Sequence, residues 1–121
     1  NKIEVLPGLF ANGELTLGEN LADHGGLNVS YQAFQNATKN APLPVENGFT
    51  PEQRFFLAYA GVWANNIREE QIRVYTKSDP HSLGEWRVNG ALPHVQAWYD
   101  AFHITPNDPM YIAPENRLNL W

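Results

Sequence analysis

The 121-residue chain contains no cysteine. That excludes disulfides, thiolate chemistry and any zinc site built on sulfur. It also lacks a long hydrophobic run. The longest, residues 55–64, is about half of what a membrane-spanning helix needs, so no membrane-spanning segment is expected. There is no basic run, and 8 basic residues face 13 acidic ones for a formal net charge of -5. Such a chain is poorly suited to holding phosphate backbones, which argues against nucleic acid as a partner. The start at Asn1 has neither an initiator Met nor the apolar stretch of a signal peptide, and is expected to be the cut end of a longer polypeptide. What is present is globular: 43% of residues are hydrophobic and 17% charged, outside the range of disordered chains. A chain of this length buries roughly two-thirds of its unfolded surface, enough for a core.

The local signals are mostly helical. Residues 3–6 read as a short extended piece closed by Pro7-Gly8, and Asn12-Gly13 is a second turn signal. Thr16 and Glu19 have the spacing of a capping box, with a helix following to about Lys39 that places Leu27, Tyr31 and Phe34 at helical intervals. A polar loop covers 40–49. Thr50-Pro51-Glu52-Gln53 is a second helix start, with Thr at the N-cap, Pro at N1 and Gln at N3. The apolar stretch that follows predicts a helix buried on most sides. Residues 68–77 suggest a shorter helix stopped by Asp79-Pro80. Asn89-Gly90 is a turn, and Pro93 opens a helix with Val95, Trp98, Tyr99 and Phe102 on one face. The Pro-rich tail is expected to be irregular, with Tyr111, Ile112, Leu118, Leu120 and Trp121 packed down on the helices. The fold class is mainly α, with little strand.

Chemistry concentrates in Gly18-Glu19-Asn20-Leu21-Ala22-Asp23-His24-Gly25-Gly26. A helix puts Glu19 and Asp23 on one face, where two like charges are mildly destabilising. Gly25 and Gly26 inside a helix each cost about 1 kcal/mol against Ala. Clustered violations of local rules are expected at functional sites, and paired glycines allow close approach of another element. The plainer reading makes Glu19 a capping residue, Asp23 a solvated charge and the glycines a helix end.

The segment Glu19-Asn20-Leu21-Ala22-Asp23-His24-Gly25-Gly26 resembles the signature of the neprilysin and endothelin-converting-enzyme family of zinc metallopeptidases. The apolar stretch 55–63 resembles that family's buried aromatic helix. Residues 77–90, Lys77-Ser78-Asp79-Pro80-His81-Ser82-Leu83-Gly84-Glu85-Trp86-Arg87-Val88-Asn89-Gly90, resemble the segment carrying two more active-site residues. The resemblance runs in the family's order along nearly the whole chain. It implies the helical C-terminal part of a thermolysin-like catalytic domain, with Glu19 as the third ligand of one zinc ion. Asp23 would hydrogen-bond a zinc-binding His from outside the first coordination shell, His81 would hydrogen-bond the oxyanion, and Arg87 would hold a substrate backbone carbonyl. Leu83 stands where the animal enzymes commonly have Pro, and the missing cysteines make the chain look like a bacterial oligopeptidase of the family. That resemblance favours a periplasmic, cell-envelope or secreted parent with peptide substrates. The sequons at Asn28 and Asn36 lie in a predicted helix, and a bacterial source would leave them bare.

The family's H-E-x-x-H motif, two His ligands one turn apart with a Glu as general base, is absent. No two of His24, His81, His94 and His103 are four apart. His24 lies about 140° around the helix from Glu19 and faces elsewhere. His94 and His103 read as surface or edge histidines. A catalytic zinc needs three protein ligands and this chain offers one. Residues 1–121 are therefore expected to be the C-terminal portion of a metalloendopeptidase catalytic domain, inactive alone, with the N-terminal remainder of the same polypeptide as its partner. The apolar faces meant for that remainder would be bare. The alternative is a non-catalytic helical binding module that retains the peptidase scaffold.

Overall fold

The computed structural model describes residues 2–120. A small antiparallel hairpin, β1 (Glu4–Leu6) and β2 (Leu9–Phe10), opens it. Its turn follows from Pro7-Gly8: Pro fixes the first central position, and Gly8 takes the second with φ +75°, as a type II turn requires. The Gly8 amide also donates to the Glu4 carboxylate at 2.7 Å. Among the described residues, everything after the hairpin is helix and connecting loop, apart from an isolated bridge between Glu46 and Phe49. The element order is α1 (Gly13–Thr38), α2 (Pro51–Val62), α3 (Glu69–Ser78), α4 (Gly84–Asn89), a 3-10 turn Leu92–His94, α5 (Gln96–Phe102) and a second 3-10 turn Pro114–Asn116.

Helix α1 starts one turn earlier than the Thr16 capping box predicts. Asn12 is its N-cap, with extended backbone and a side chain that accepts from the Leu15 amide at 3.1 Å. Thr16 is buried inside the helix, and its hydroxyl donates to the Asn12 carbonyl at 3.0 Å. Glu19 is consequently not at N3. The second start is as expected: Thr50 accepts from the Gln53 amide at 3.1 Å, and Gln53 accepts from the Thr50 amide at 3.0 Å. The Gln53 side chain also donates to the Ala101 carbonyl at 2.9 Å, tying α2 to α5.

The core gathers Leu27 of α1, Phe56 of α2, and Ala91, Leu92, Val95, Trp98 and Tyr99 from the last third of the chain. Tyr31 stacks on Phe56 with ring centroids 5.3 Å apart, and Phe55 meets both edge-on. Such offset and edge-to-face pairs satisfy the ring quadrupoles. Helix α2 is less buried than its composition predicts. Phe56 is 1% exposed, but Leu57, Ala58, Gly61 and Val62 form an open apolar strip, Val62 at 71% exposure. The tail is irregular as expected. The Tyr99 hydroxyl donates to the Pro93 carbonyl at 2.7 Å and accepts from the Ile112 amide at 3.0 Å, and the Arg117 guanidinium lies 3.6 Å over the Tyr99 ring. Leu118 and Leu120, however, are exposed rather than packed, and Trp121 lies outside the described residues.

One glycine sets the helix arrangement beside the site. At Gly84, the first residue of α4, a Cβ would stand 2.6 Å from the Trp63 carbonyl oxygen and 3.2 Å from Asn65 Nδ2. The end of α2 and the start of α4 therefore touch backbone to backbone. Gly84→Ala is expected to destabilise the fold by about 1–3 kcal/mol, the usual cost of overpacking. Thermal unfolding of the variant against wild type checks it, and an unchanged midpoint would mean that the contact relaxes freely.

Candidate active site

On α1, Glu19 and Asp23 project from one face, one turn apart. Across from them, the loop after α3 carries His81 and the short α4 carries Arg87. The four side chains singled out from the sequence come together, although 57 residues of chain lie between Asp23 and His81. Arg87 grips Asp23 with a bidentate fork, Nε to Oδ2 and Nη2 to Oδ1, both 2.6 Å. The two side chains are only 14% and 16% exposed. This is the planar pairing that arginine makes and lysine does not. The Asp23 carboxylate raises the Arg87 pKa above its ordinary value, mainly through these hydrogen bonds. The guanidinium also lies 3.7 Å over the Trp63 ring, a cation–π contact. Tyr59 donates its hydroxyl to the Arg87 carbonyl at 2.9 Å.

His81 Nε2 faces Glu19 Oε2 at 3.4 Å. Its Nδ1 is 2.7 Å from Asp79 Oδ1, which also accepts from the His81 backbone amide at 2.9 Å. These two bonds hold the Asp79 carboxyl below the usual carboxylate range, the backbone bond contributing most. Because a carboxylate only accepts, Nδ1 carries a proton and Nε2 is the nitrogen that faces Glu19.

Beneath these residues lies a cavity of about 270 Å³, lined among others by Asn20, Asp23, His24, His81, Arg87 and His94. His24 turns into the interior, away from Glu19 as the helical geometry requires, and is 2% exposed. Its Nε2 is 3.1 Å from the side-chain Nδ2 of Asn28, and its ring meets His94 edge-on at 6.1 Å between centroids. Burial lowers the pKa of both imidazoles. His94 is half-buried and accepts from the Leu118 amide at 3.1 Å, whereas His103 is the exposed edge residue expected. Gly25 is buried, but Gly26 is exposed, and a Cβ there would meet nothing within 4 Å. The close approach expected at the paired glycines does not occur at Gly26; it occurs at Gly84. Among the described residues, no group of three His, Asp or Glu side chains converges to hold a metal ion.

Three contacts lay beyond the sequence reading. Trp63, read as part of a core helix, supports Arg87. Asp79, read as a helix stop, fixes the His81 ring. Asn20, given no role, accepts from the Ser82 hydroxyl at 2.8 Å. For Asp79 the signal was the Asp-x-His spacing, which allows one carboxylate to reach both the amide and the ring. The other two are tertiary contacts with no local signature.

Residues 3–118 match peptidase family M13. The chain is 38% identical to mouse neprilysin over 117 residues, 94% of this chain and 15% of that protein. It is 38% identical to bovine endothelin-converting enzyme 1 over 114 residues, 91% of this chain and 15% of that one. The chain thus spans about 15% of the length of these curated relatives. Its fold is similar to the crystal structure of the Mycobacterium tuberculosis zinc metalloprotease Zmp1, with a TM-score of 0.88 and 36% identity, over 92% of this chain and 17% of that one. The mainly helical architecture is therefore shared with a bacterial member as well as implied by the animal sequences. A family match over residues 3–118, with 38% identity to mouse neprilysin over 94% of this chain, shows that the chain belongs to peptidase family M13.

Proposed function

We propose that this chain is the C-terminal part of the catalytic domain of a zinc endopeptidase that cleaves oligopeptides. In this reading the remainder of the same polypeptide supplies H-E-x-x-H, and the chain is inactive alone. The observation that carries the reading is the pairing of Glu19 with His81 and of Asp23 with Arg87, with Asp23, His81 and Arg87 lining one cavity. A scaffold that only bound a partner would have no use for that combination.

Glu19 suits a single metal donor. Its side chain is 44% exposed, and its one ion-pair neighbour among the described residues is His81. Among the described residues no Lys or Arg forms an ion pair with it, and Arg87 acts on it only through space; the carboxylate is therefore open to a cation. Zinc, when bound, supplies Lewis acidity at the scissile carbonyl. The chain's own residues do the rest. Asp23 spends two lone pairs on Arg87 and keeps others for a ligating imidazole, whose second nitrogen must be fixed. His81, with Nδ1 committed to Asp79, offers Nε2 to the oxyanion. That nitrogen donates only when the ring carries both protons. Arg87, with Nε and Nη2 on Asp23, keeps Nη1 for a substrate carbonyl. The Trp63 ring beneath and Asp23 beside it hold that group rigid before substrate arrives.

The test is a zinc titration of this chain by calorimetry at neutral pH, with helicity checked by circular dichroism. One carboxylate makes no zinc site, so the expected affinity is that of a surface carboxylate. One-to-one binding at sub-micromolar zinc would overturn the reading, because it would require a complete site within these residues.

A further inference from the structure

We infer that Asn20 and Ser82 form a positioning pair for His81, setting the distance between its loop and the turn of α1 that carries Glu19; the inference rests on the proposed role of His81. The Ser82 hydroxyl donates to Asn20 Oδ1 at 2.8 Å across 62 residues of chain. Asn20 Nδ2 donates in turn to Thr16 Oγ1 at 3.3 Å, and the Thr16 hydroxyl donates to the Asn12 carbonyl at 3.0 Å. The order of donors is forced. The single Thr16 proton goes to Asn12, so Thr16 can only accept from Asn20. That orients the amide with its nitrogen toward Thr16 and its oxygen toward Ser82. The relay therefore runs in one direction, from the His81 loop down to the N-cap of α1. Thr16 at its centre is buried, so the orientation is shielded from competing water.

His81 needs such a tie. Asp79 fixes the imidazole against its own loop, but both residues move with that loop. The direct contact from His81 to α1 is the 3.4 Å approach to Glu19, and a Glu19 committed to a metal cannot also serve as the anchor. The Arg87–Asp23 fork lies on α4, beyond the loop. The Ser82–Asn20 bond joins the residue after His81 to the residue after Glu19. It thus couples the oxyanion donor to the ligand helix without using either functional group. Positions of reacting groups must hold to fractions of an ångström for full rate.

The experiment is steady-state kinetics on the full-length enzyme with an internally quenched peptide, in two backgrounds, with zinc content measured throughout. Ser82→Ala is expected to lower kcat about 10-fold, the rate equivalent of one neutral hydrogen bond, with KM and zinc near wild type. Asn20→Ala should do the same, and Ser82→Thr, which keeps the donor, should restore kcat. In the His81→Ala background Ser82→Ala should cost nothing further. An equal loss in both backgrounds would overturn the inference, because the pair would then act on the fold and not through His81. So would wild-type kcat in Ser82→Ala and Asn20→Ala when His81→Ala itself is impaired. If His81→Ala is at wild-type rate, the role proposed for His81 fails instead, and the pair has nothing to position.

Discussion

Glu19→Ala in the full-length enzyme is expected to abolish zinc retention and, with it, peptidase activity. The argument starts from what Glu19 does not do. The N-cap of α1 is Asn12, so Glu19 is not the partner in a capping box and its removal costs the helix no cap. Among the described residues it makes no ion pair with Lys or Arg, and its one ion-pair contact is with His81 at 3.4 Å. The substitution should therefore leave helicity and unfolding temperature close to wild type while removing a carboxylate that a three-ligand catalytic site cannot spare. Asp23→Ala provides the graded comparison. If Asp23 orients a zinc-binding imidazole as proposed, zinc affinity or activity should fall by about 10–100-fold. The substitution also leaves a guanidinium that is only 14% exposed without its carboxylate, so that variant should lose stability as well. Metal content and turnover are measured on both proteins. If Glu19→Ala keeps its zinc and turns over near the wild-type rate, Glu19 is an ordinary surface carboxylate and the ligand lies elsewhere in the polypeptide.

How much of this was legible in the sequence depended on range. The Thr50–Gln53 capping box formed as expected because all its partners lie within one turn. The pairing of Glu19 with Asp23 on one face needed only helical periodicity. The start of α1 differs from the sequence expectation because Asn12-Gly13, whose composition marks a turn, supplies the N-cap four residues before Thr16. Asn12 takes the position because it has the extended backbone an N-cap requires. That places Thr16 inside the helix, with its hydroxyl bonded to the Asn12 carbonyl. For helix α4 the sequence marks only the turn at Asn89-Gly90. The helix has six residues, begins with Gly84 and has no side-chain cap, so no local signal marks it; contact with the end of α2 holds it. For the site, residue types within a family motif pointed to the four side chains but not to how they are held. The fork from Arg87 to Asp23 spans 64 residues and the Ser82–Asn20 bond 62. Neither spacing has a periodicity from which a pairing could be read.

His81 and Arg87 are expected to separate by the kinetic parameter each one damages. An oxyanion donor acts only as charge develops, so His81, in the role proposed for it, would contribute to the transition state and little to the ground state. Removing one such donor typically costs about 10²–10³-fold in kcat, roughly 2.7–4 kcal/mol. His81→Ala should lower kcat by that factor with KM nearly unchanged and zinc retained. In the role proposed for it, Arg87 holds a carbonyl that does not react, so its hydrogen bonds would exist before and during the chemistry. Arg87→Ala should raise KM with a smaller effect on kcat. The structure adds a second consequence for this residue. Arg87 also covers the Trp63 ring and occupies both oxygens of Asp23, so its loss leaves a carboxylate only 16% exposed without a counter-charge. Arg87→Ala should therefore lower the unfolding temperature, whereas His81→Ala, at an exposed loop position, should not. Arg87→Lys should rescue neither KM nor stability fully, because one ammonium cannot copy two parallel bonds to Asp23, present a third donor and stack flat on an indole. Steady-state kinetics on the three variants with one peptide substrate, read beside their thermal unfolding, decide the matter. Wild-type kcat in His81→Ala would remove it from the mechanism. An unchanged KM in Arg87→Ala, with lowered stability alone, would reduce Arg87 to a structural partner of Asp23.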